Sequence, residues 1–110
     1  MATVIVLNRE QMGDGDAALG RKILGTFLRK SGVIQDLEAI VFYNAGVKLA
    51  AKDSPVATEL RQLHDNGVEL MPCTTCVEHY GLVGNLLVDK ASSMDDVLAT
   101  LRKAGKVITL

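Results

Sequence analysis

"EAIVFYNAGVKLAAKDSPVATELRQLHDNGVELMPC", residues 38–73, sets the architecture of this chain. It opens on a short apolar run rich in β-branched residues, "EAIVFYN" (38–44), and closes on another, "VELMPC" (68–73). Each reads as a strand buried on both faces. Between them, "DSPVATELRQLHDNG" has the grammar of a helix: Ser54 as cap, Pro55 at the first helical position, and Asn66-Gly67 as the stop. Strand, helix and strand joined by short connections imply parallel strands.

The alternation continues on either side. "TVIVLN" (3–8) and "KVITL" (106–110) read as the first and last strands, with "NLLVDK" (85–90) a weaker candidate. A helix capped by Asp14 or Asp16 runs to about Lys30, with Leu19, Ile23, Leu24, Phe27 and Leu28 as its apolar stripe. Gly20 and Gly25 each weaken it by about 1 kcal/mol, which close backbone packing must offset. Ser31 and Gly32 end it, the glycine fitting a left-handed C-cap. "SSMDDVLATLRKAG" repeats the pattern, with Ser93 as cap and Arg102 and Lys103 where the helix dipole favours positive charge. The expected fold is α/β, a mostly parallel sheet of about five strands with helices on its faces. Residues 1–110 read as one domain without repeats or linkers.

Lysine and arginine number 12 against 13 acids. That balance argues against a nucleic-acid footprint or a surface made for anionic membranes. The apolar run in "MATVIVLNRE" is too short for a signal peptide or a membrane span. The expectation is a cytoplasmic protein whose thiols stay reduced, so a structural disulfide is the least expected use of the cysteines.

In open parallel sheets, ligands gather beyond the carboxyl ends of the strands. Three loops leave that edge: "NREQMGDGD" (8–16), "YNAGVKLAAKDS" (43–54) and "PCTTCVEHYG" (72–81). Asn8 and Asn44 end two strands in parallel fashion and suit side chains that tie loops together. Gly13 and Gly15 allow unusual backbone angles and close approach of a partner. "MGDGD" lacks the spacing and the lysine of a phosphate loop, and Asp14 and Asp16 would repel phosphate, so helix capping is its simpler use.

"MPCTTCVEHYGL" (71–82) holds both cysteines of the chain. Four readings compete. A redox dithiol wants its first cysteine at the start of a long helix, which Gly81 and Gly84 discourage. A zinc site built from Cys73, Cys76 and His79 lacks a fourth ligand, since His64 lies on a helix that ends away from this edge. Cys73 can equally be a small buried apolar residue behind Pro72. The fourth reading is a nucleophilic or sulfur-carrying thiolate at Cys73, where the turn after the strand can aim N–H groups at the sulfur. There His79 would add positive charge, against Glu78.

Three stretches in order, "VIVLNREQMGDGDAALG", "IVFYNAGVKLAAKDSPV" and "GVELMPCTTCVEHYGL", carry a resemblance. Through them the chain resembles the DsrE/DsrF-like sulfur-relay proteins over essentially its whole length. It is most similar to the DsrE-type domain at the carboxyl end of the selenium-metabolism proteins called YedF. The resemblance implies a three-layer α/β/α domain that assembles as trimers or hexamers. In relay members a cysteine at the end of the third strand accepts sulfur as a persulfide and passes it to a partner. The matching position here is Cys73, and Cys76 matches a second cysteine found in some branches. Two departures stand out. Relay members often have arginine just before the closing glycine, where this chain has Tyr80. The sulfurtransferase-like domain that precedes the selenium-associated members has no counterpart in these residues.

The expected site therefore has Cys73 carrying a persulfide and Cys76 releasing it by disulfide formation. Backbone around Thr74 and Thr75 would stabilise the charged sulfur. Asn8, Met12, Gly13, Asn44, Gly46, His79 and Tyr80 would shape the pocket. No metal or organic cofactor is expected. The expected partners are copies of the same chain and a sulfur donor or acceptor protein, with no nucleic acid and no membrane. The alternative is a non-catalytic oligomeric module that binds a small ligand or a sulfur-pathway partner, with Cys73 unreactive.

Overall fold

A computed structural model describes residues 1–110. Four strands, β1 (Thr3–Leu7), β2 (Leu37–Phe42), β3 (Glu69–Pro72) and β4 (Lys106–Thr109), form a parallel sheet in the order β3-β2-β1-β4. Helix α1 (Ala17–Lys30) joins β1 to β2, and α2 (Ala57–Asp65) joins β2 to β3. Both connections step the same way across the sheet, so right-handed crossovers put both helices on one face. The return from β3 to β4, through α3 (Thr74–His79) and α4 (Met94–Lys103), steps the other way and lays α4 on the opposite face.

Packing follows that layout. Ile5, Leu7, Ile40, Phe42 and Leu70 face Leu24 and Leu28 of α1 and Leu60 and Leu63 of α2 in the larger core. Val4, Val6, Ala39, Val41 and Met71 form the other face, where Val97 is the buried residue that α4 contributes. The result is the expected three-layer α/β/α arrangement, with one thick layer and one thin.

Local details differ from the sequence expectations for identifiable reasons. The sheet has four strands, not about five. "NLLVDK" is no strand: Leu86 is buried and makes only an isolated bridge to Ala51, so its apolar run caps the core instead of joining the ladder. Ser54 does not start α2. Its hydroxyl accepts from the Val56 N–H at 3.1 Å, closing a turn, and the helix begins at Ala57. Gly32 is not a left-handed cap, because α1 runs on into a 3-10 turn, Ser31–Val33, with the Ser31 hydroxyl donating to the Leu28 carbonyl at 2.7 Å. Asp16, not Asp14, caps α1, accepting from the Leu19 N–H at 2.8 Å. The buried stripe of α1 is narrower than its sequence: Leu19 and Ile23 are 56% and 40% exposed. Ser93 caps α4 as expected, accepting from the Asp96 N–H at 3.2 Å. Gly20 does allow close packing, since a Cβ there would sit 2.6 Å from that of Gln11.

The register sets the site. Leu7 pairs with Phe42, and Phe42 with Pro72, so β1, β2 and β3 end in one row. Asn8, Tyr43 and Cys73 therefore leave the sheet side by side. No helix is long and apolar enough to cross a membrane.

Candidate functional site

Beyond that row the chain after β2 turns sharply at Asn44, whose φ of 50° lies in the left-handed region. It continues as a 3-10 segment, Asn44–Ala50, which buries Val47, Leu49 and Ala50. Gly46 permits this course: a Cβ there would overlap the Leu7 carbonyl. The chain after β3 enters α3 directly, with Cys73 as its N-cap residue.

The two cysteines occupy different environments. Cys73 is 2% exposed and packs in the larger core with Val77, one helical turn on. Its side chain makes no capping bond. The Thr74 N–H and hydroxyl both donate to the Ser92 carbonyl, at 2.9 and 3.0 Å, so they serve the main chain instead of the sulfur. Cys76 is half-buried, and its Sγ accepts the Asn44 N–H at 3.1 Å. The Asn44 side-chain carbonyl accepts from the Tyr80 hydroxyl at 2.9 Å. Lys48 places its ammonium 4.6 Å from the centre of the Tyr80 ring and 3.8 Å from the Glu10 carboxylate. His79 meets the Tyr80 ring edge-on, with centres 5.0 Å apart.

A cavity of about 440 Å³ opens over Cys76, walled by Tyr43, Asn44, Thr75, His79 and Tyr80 on one side and by Met94, Val97 and Leu101 of α4 on the other. Cys73 does not line it. Of the other expected pocket residues, Asn44, Thr75, His79 and Tyr80 do. Thr74 lines a separate hollow of about 530 Å³ on the other flank of α3, together with Lys52, Glu78 and Lys90. Asn8 stays at the end of β1 with its side-chain oxygen buried and unpartnered. Met12 packs against the larger core, and Gly13 sits in an exposed loop tied by the Gln11 amide. Tyr43, Lys48 and the α4 wall were not anticipated. The apolar spacing of α4 was legible, but which loop it faces depends on the strand order. No three His, Cys, Asp or Glu side chains gather in one place to hold a metal ion.

Burial pushes the Cys76 thiol above the usual cysteine range, and the adjacent Cys73 adds to the rise through its thiol and its charge. The N–H groups of Asn44 and of Cys76 itself pull the other way. Cys76 is thus held as the protonated thiol at neutral pH, with the Asn44 N–H as the main influence favouring its thiolate. Replacing Cys73 with alanine removes two of the upward influences. The midpoint of Cys76 alkylation rate against pH should then move down, and an unmoved midpoint would show that the two thiols do not interact.

Comparison with known proteins places the fold. A profile described as the DsrE/DsrF-like family matches residues 1–110. The ychN protein from E. coli superposes with a TM-score of 0.73 at 20% identity, covering 99% of this chain and 98% of that one. MTH1491 from Methanobacterium thermoautotrophicum, a protein of unknown function, gives a TM-score of 0.71 at 16% identity over 99% and 98% of the two chains. BT1422 from Bacteroides thetaiotaomicron, also of unknown function, gives 0.68 at 18% identity over 99% and 94%. No curated protein matches the chain.

Proposed function

We propose that this chain, which belongs to the DsrE/DsrF-like family, handles sulfane sulfur at its Cys73–Cys76 pair. The observation that carries the reading is the pairing of two neighbouring thiols at a strand end, one of them opening into a cavity and accepting a main-chain N–H. A cysteine thiolate attacks the terminal sulfur of a persulfide donor, R–S–SH. A new S–S bond forms, the donor S–S bond breaks, and the donor leaves as its thiol. The persulfide sulfur then passes to an acceptor thiolate. Alternatively, the second cysteine attacks the inner sulfur, giving a Cys73–Cys76 disulfide and free hydrosulfide, and a dithiol reductant reopens the bond. Neither route calls for a metal or an organic cofactor. Selenium could replace sulfur without altering the bond changes.

Self-association into a trimer or hexamer belongs to the same reading. It is supported by the apolar side chains left outside on α4 and β4, where Met94, Leu98 and Val107 are 58%, 62% and 45% exposed. The competing reading is a non-catalytic module that binds a small ligand or partner, favoured by the burial of Cys73 and the mainly apolar cavity.

Intact-mass spectrometry after treating the reduced protein with polysulfide separates the two. Sulfur handling predicts a dithiothreitol-reversible gain of one sulfur atom that disappears when both cysteines are replaced by serine. A folded wild type that gains nothing, beside a carrier protein that does, selects the binding module.

A further inference from the structure

We infer that Cys76, not Cys73, is the thiol that meets the incoming sulfur, and that the main-chain N–H of Asn44 is the fixed donor holding its charge. The sulfur substrate rests on the function proposed above; the order of the two thiols does not.

Access decides the first half. Cys73 shares its helix face with Val77, and both are buried. Cys76 and Tyr80, also four apart, share the face that borders the cavity. A donor sulfur entering that cavity meets Cys76 first, while Cys73 lies behind it.

The N–H has its own origin in the sheet. Along β2, the Phe42 carbonyl accepts from Cys73 on the β3 side, and the Tyr43 N–H donates to Leu7 on the β1 side. Asn44 is next, so its N–H points back toward β3. By that level the chain after β3 has turned into α3, and no strand remains to supply a carbonyl. The donor left over by the ending ladder finds the Cys76 sulfur instead. Asparagine tolerates the left-handed turn required here better than other residues with a Cβ. Its side chain is anchored by Tyr80, whose ring is in turn covered by Lys48. Tyr80 is accordingly a positioning residue, because it acts on the sulfur only through Asn44.

The step balances at Cys76. Its thiolate displaces R–S⁻ from R–S–SH, leaving Cys76–S–SH and a donor thiol once the leaving group takes up a proton. The Asn44 N–H faces the sulfur that carries charge before the attack. The titratable groups around that sulfur are Cys73, His79 and Tyr80 on α3, with Lys48 beyond the Tyr80 ring; α4 presents only Met94, Val97 and Leu101 to it.

Iodoacetamide alkylation of the reduced native protein, mapped by peptide mass spectrometry, tests access without sulfur chemistry. Cys76 should react about tenfold faster than Cys73, and a faster Cys73 overturns the inference. In single-turnover polysulfide loading, the adduct should persist in Cys73→Ser and vanish in Cys76→Ser; the reverse pattern also overturns it. Asn44→Ala should slow Cys76 alkylation about tenfold and move its rate–pH midpoint upward, as expected from weakening a hydrogen bond to a charged atom. Asn44→Gly, which adopts this left-handed turn freely and adds no charge, should restore most of the rate. Tyr80→Phe should shift the midpoint the same way by less. An unchanged midpoint in a folded Asn44→Ala removes Asn44 from the mechanism. If the wild type takes no sulfur yet Cys76 still alkylates first, the sulfur function fails while the thiol order holds.

Discussion

Gly46→Ala should lower the stability of this protein by about 3 kcal/mol, the upper range for forcing an extra methyl into a packed interior. The new Cβ would overlap the Leu7 carbonyl and approach the Asn8 Cα to 3.2 Å. Neither neighbour can yield cheaply, since Leu7 sits in the central strand β1, paired on both sides. The segment Asn44–Ala50 must therefore lift, disturbing the Gly46 N–H bond to the Tyr43 carbonyl, now 3.0 Å. Asn44, two residues earlier, moves with it, so Cys76 should also lose its N–H partner. Urea unfolding reads the first effect as a lower midpoint at unchanged slope, and the alkylation profile reads the second. Gly13→Ala is the control. Its φ is positive, 79°, but no atom lies within 4 Å of a Cβ there, so the cost should be only about 1 kcal/mol of backbone strain. Equal losses for the two would mean that the segment over Leu7 yields easily and does not position the site.

The contrast between these glycines also marks where sequence reading stops. Alternating strand-like and helix-like stretches revealed the parallel sheet, because buried β-branched runs and capped helices carry local signatures. The strand order carries none. It follows from the direction of each crossover, so the sequence could not show that α4 walls the cavity over Cys76. "NLLVDK" misled because an apolar run is equally satisfied by capping a core, as Leu86 does, or by entering a ladder. The cysteine loop shows the same limit at residue level. Its place after β3 was legible from "VELMPC", and Asn44, Thr75, Cys76, His79 and Tyr80 do meet around one cavity. The rotation of α3 was not legible: Cys73–Val77 and Cys76–Tyr80 are both pairs four apart, and either could have faced inward. Packing against the larger core buried the first pair. Gly46 had no local signal at all, because its requirement comes from Leu7, which is distant in sequence.

Val97 is the one buried residue of α4, set against Val4, Val6, Ala39, Val41 and Met71. Val97→Asp would bury a carboxylate among apolar neighbours and should cost about 3 kcal/mol or more at neutral pH. Such a carboxyl binds its proton more tightly folded than unfolded. The deficit relative to wild type should therefore shrink as pH falls through the raised folded value, and grow again as pH rises. Val97→Asn, polar but uncharged, should show a smaller deficit without that pH dependence. At neutral pH the cheaper response to Val97→Asp is for α4 to leave the sheet, since no other buried residue of the helix holds it there. The cavity then loses Met94 and Leu101 along with position 97, and Cys76 gains solvent. Because burial is the largest influence raising the Cys76 thiol, its alkylation midpoint should move down in Val97→Asp. If stability falls while that midpoint stays put, α4 remains seated and the charge is accommodated in place. A midpoint that falls together with stability shows that α4 sets the environment of Cys76 as well as covering the sheet.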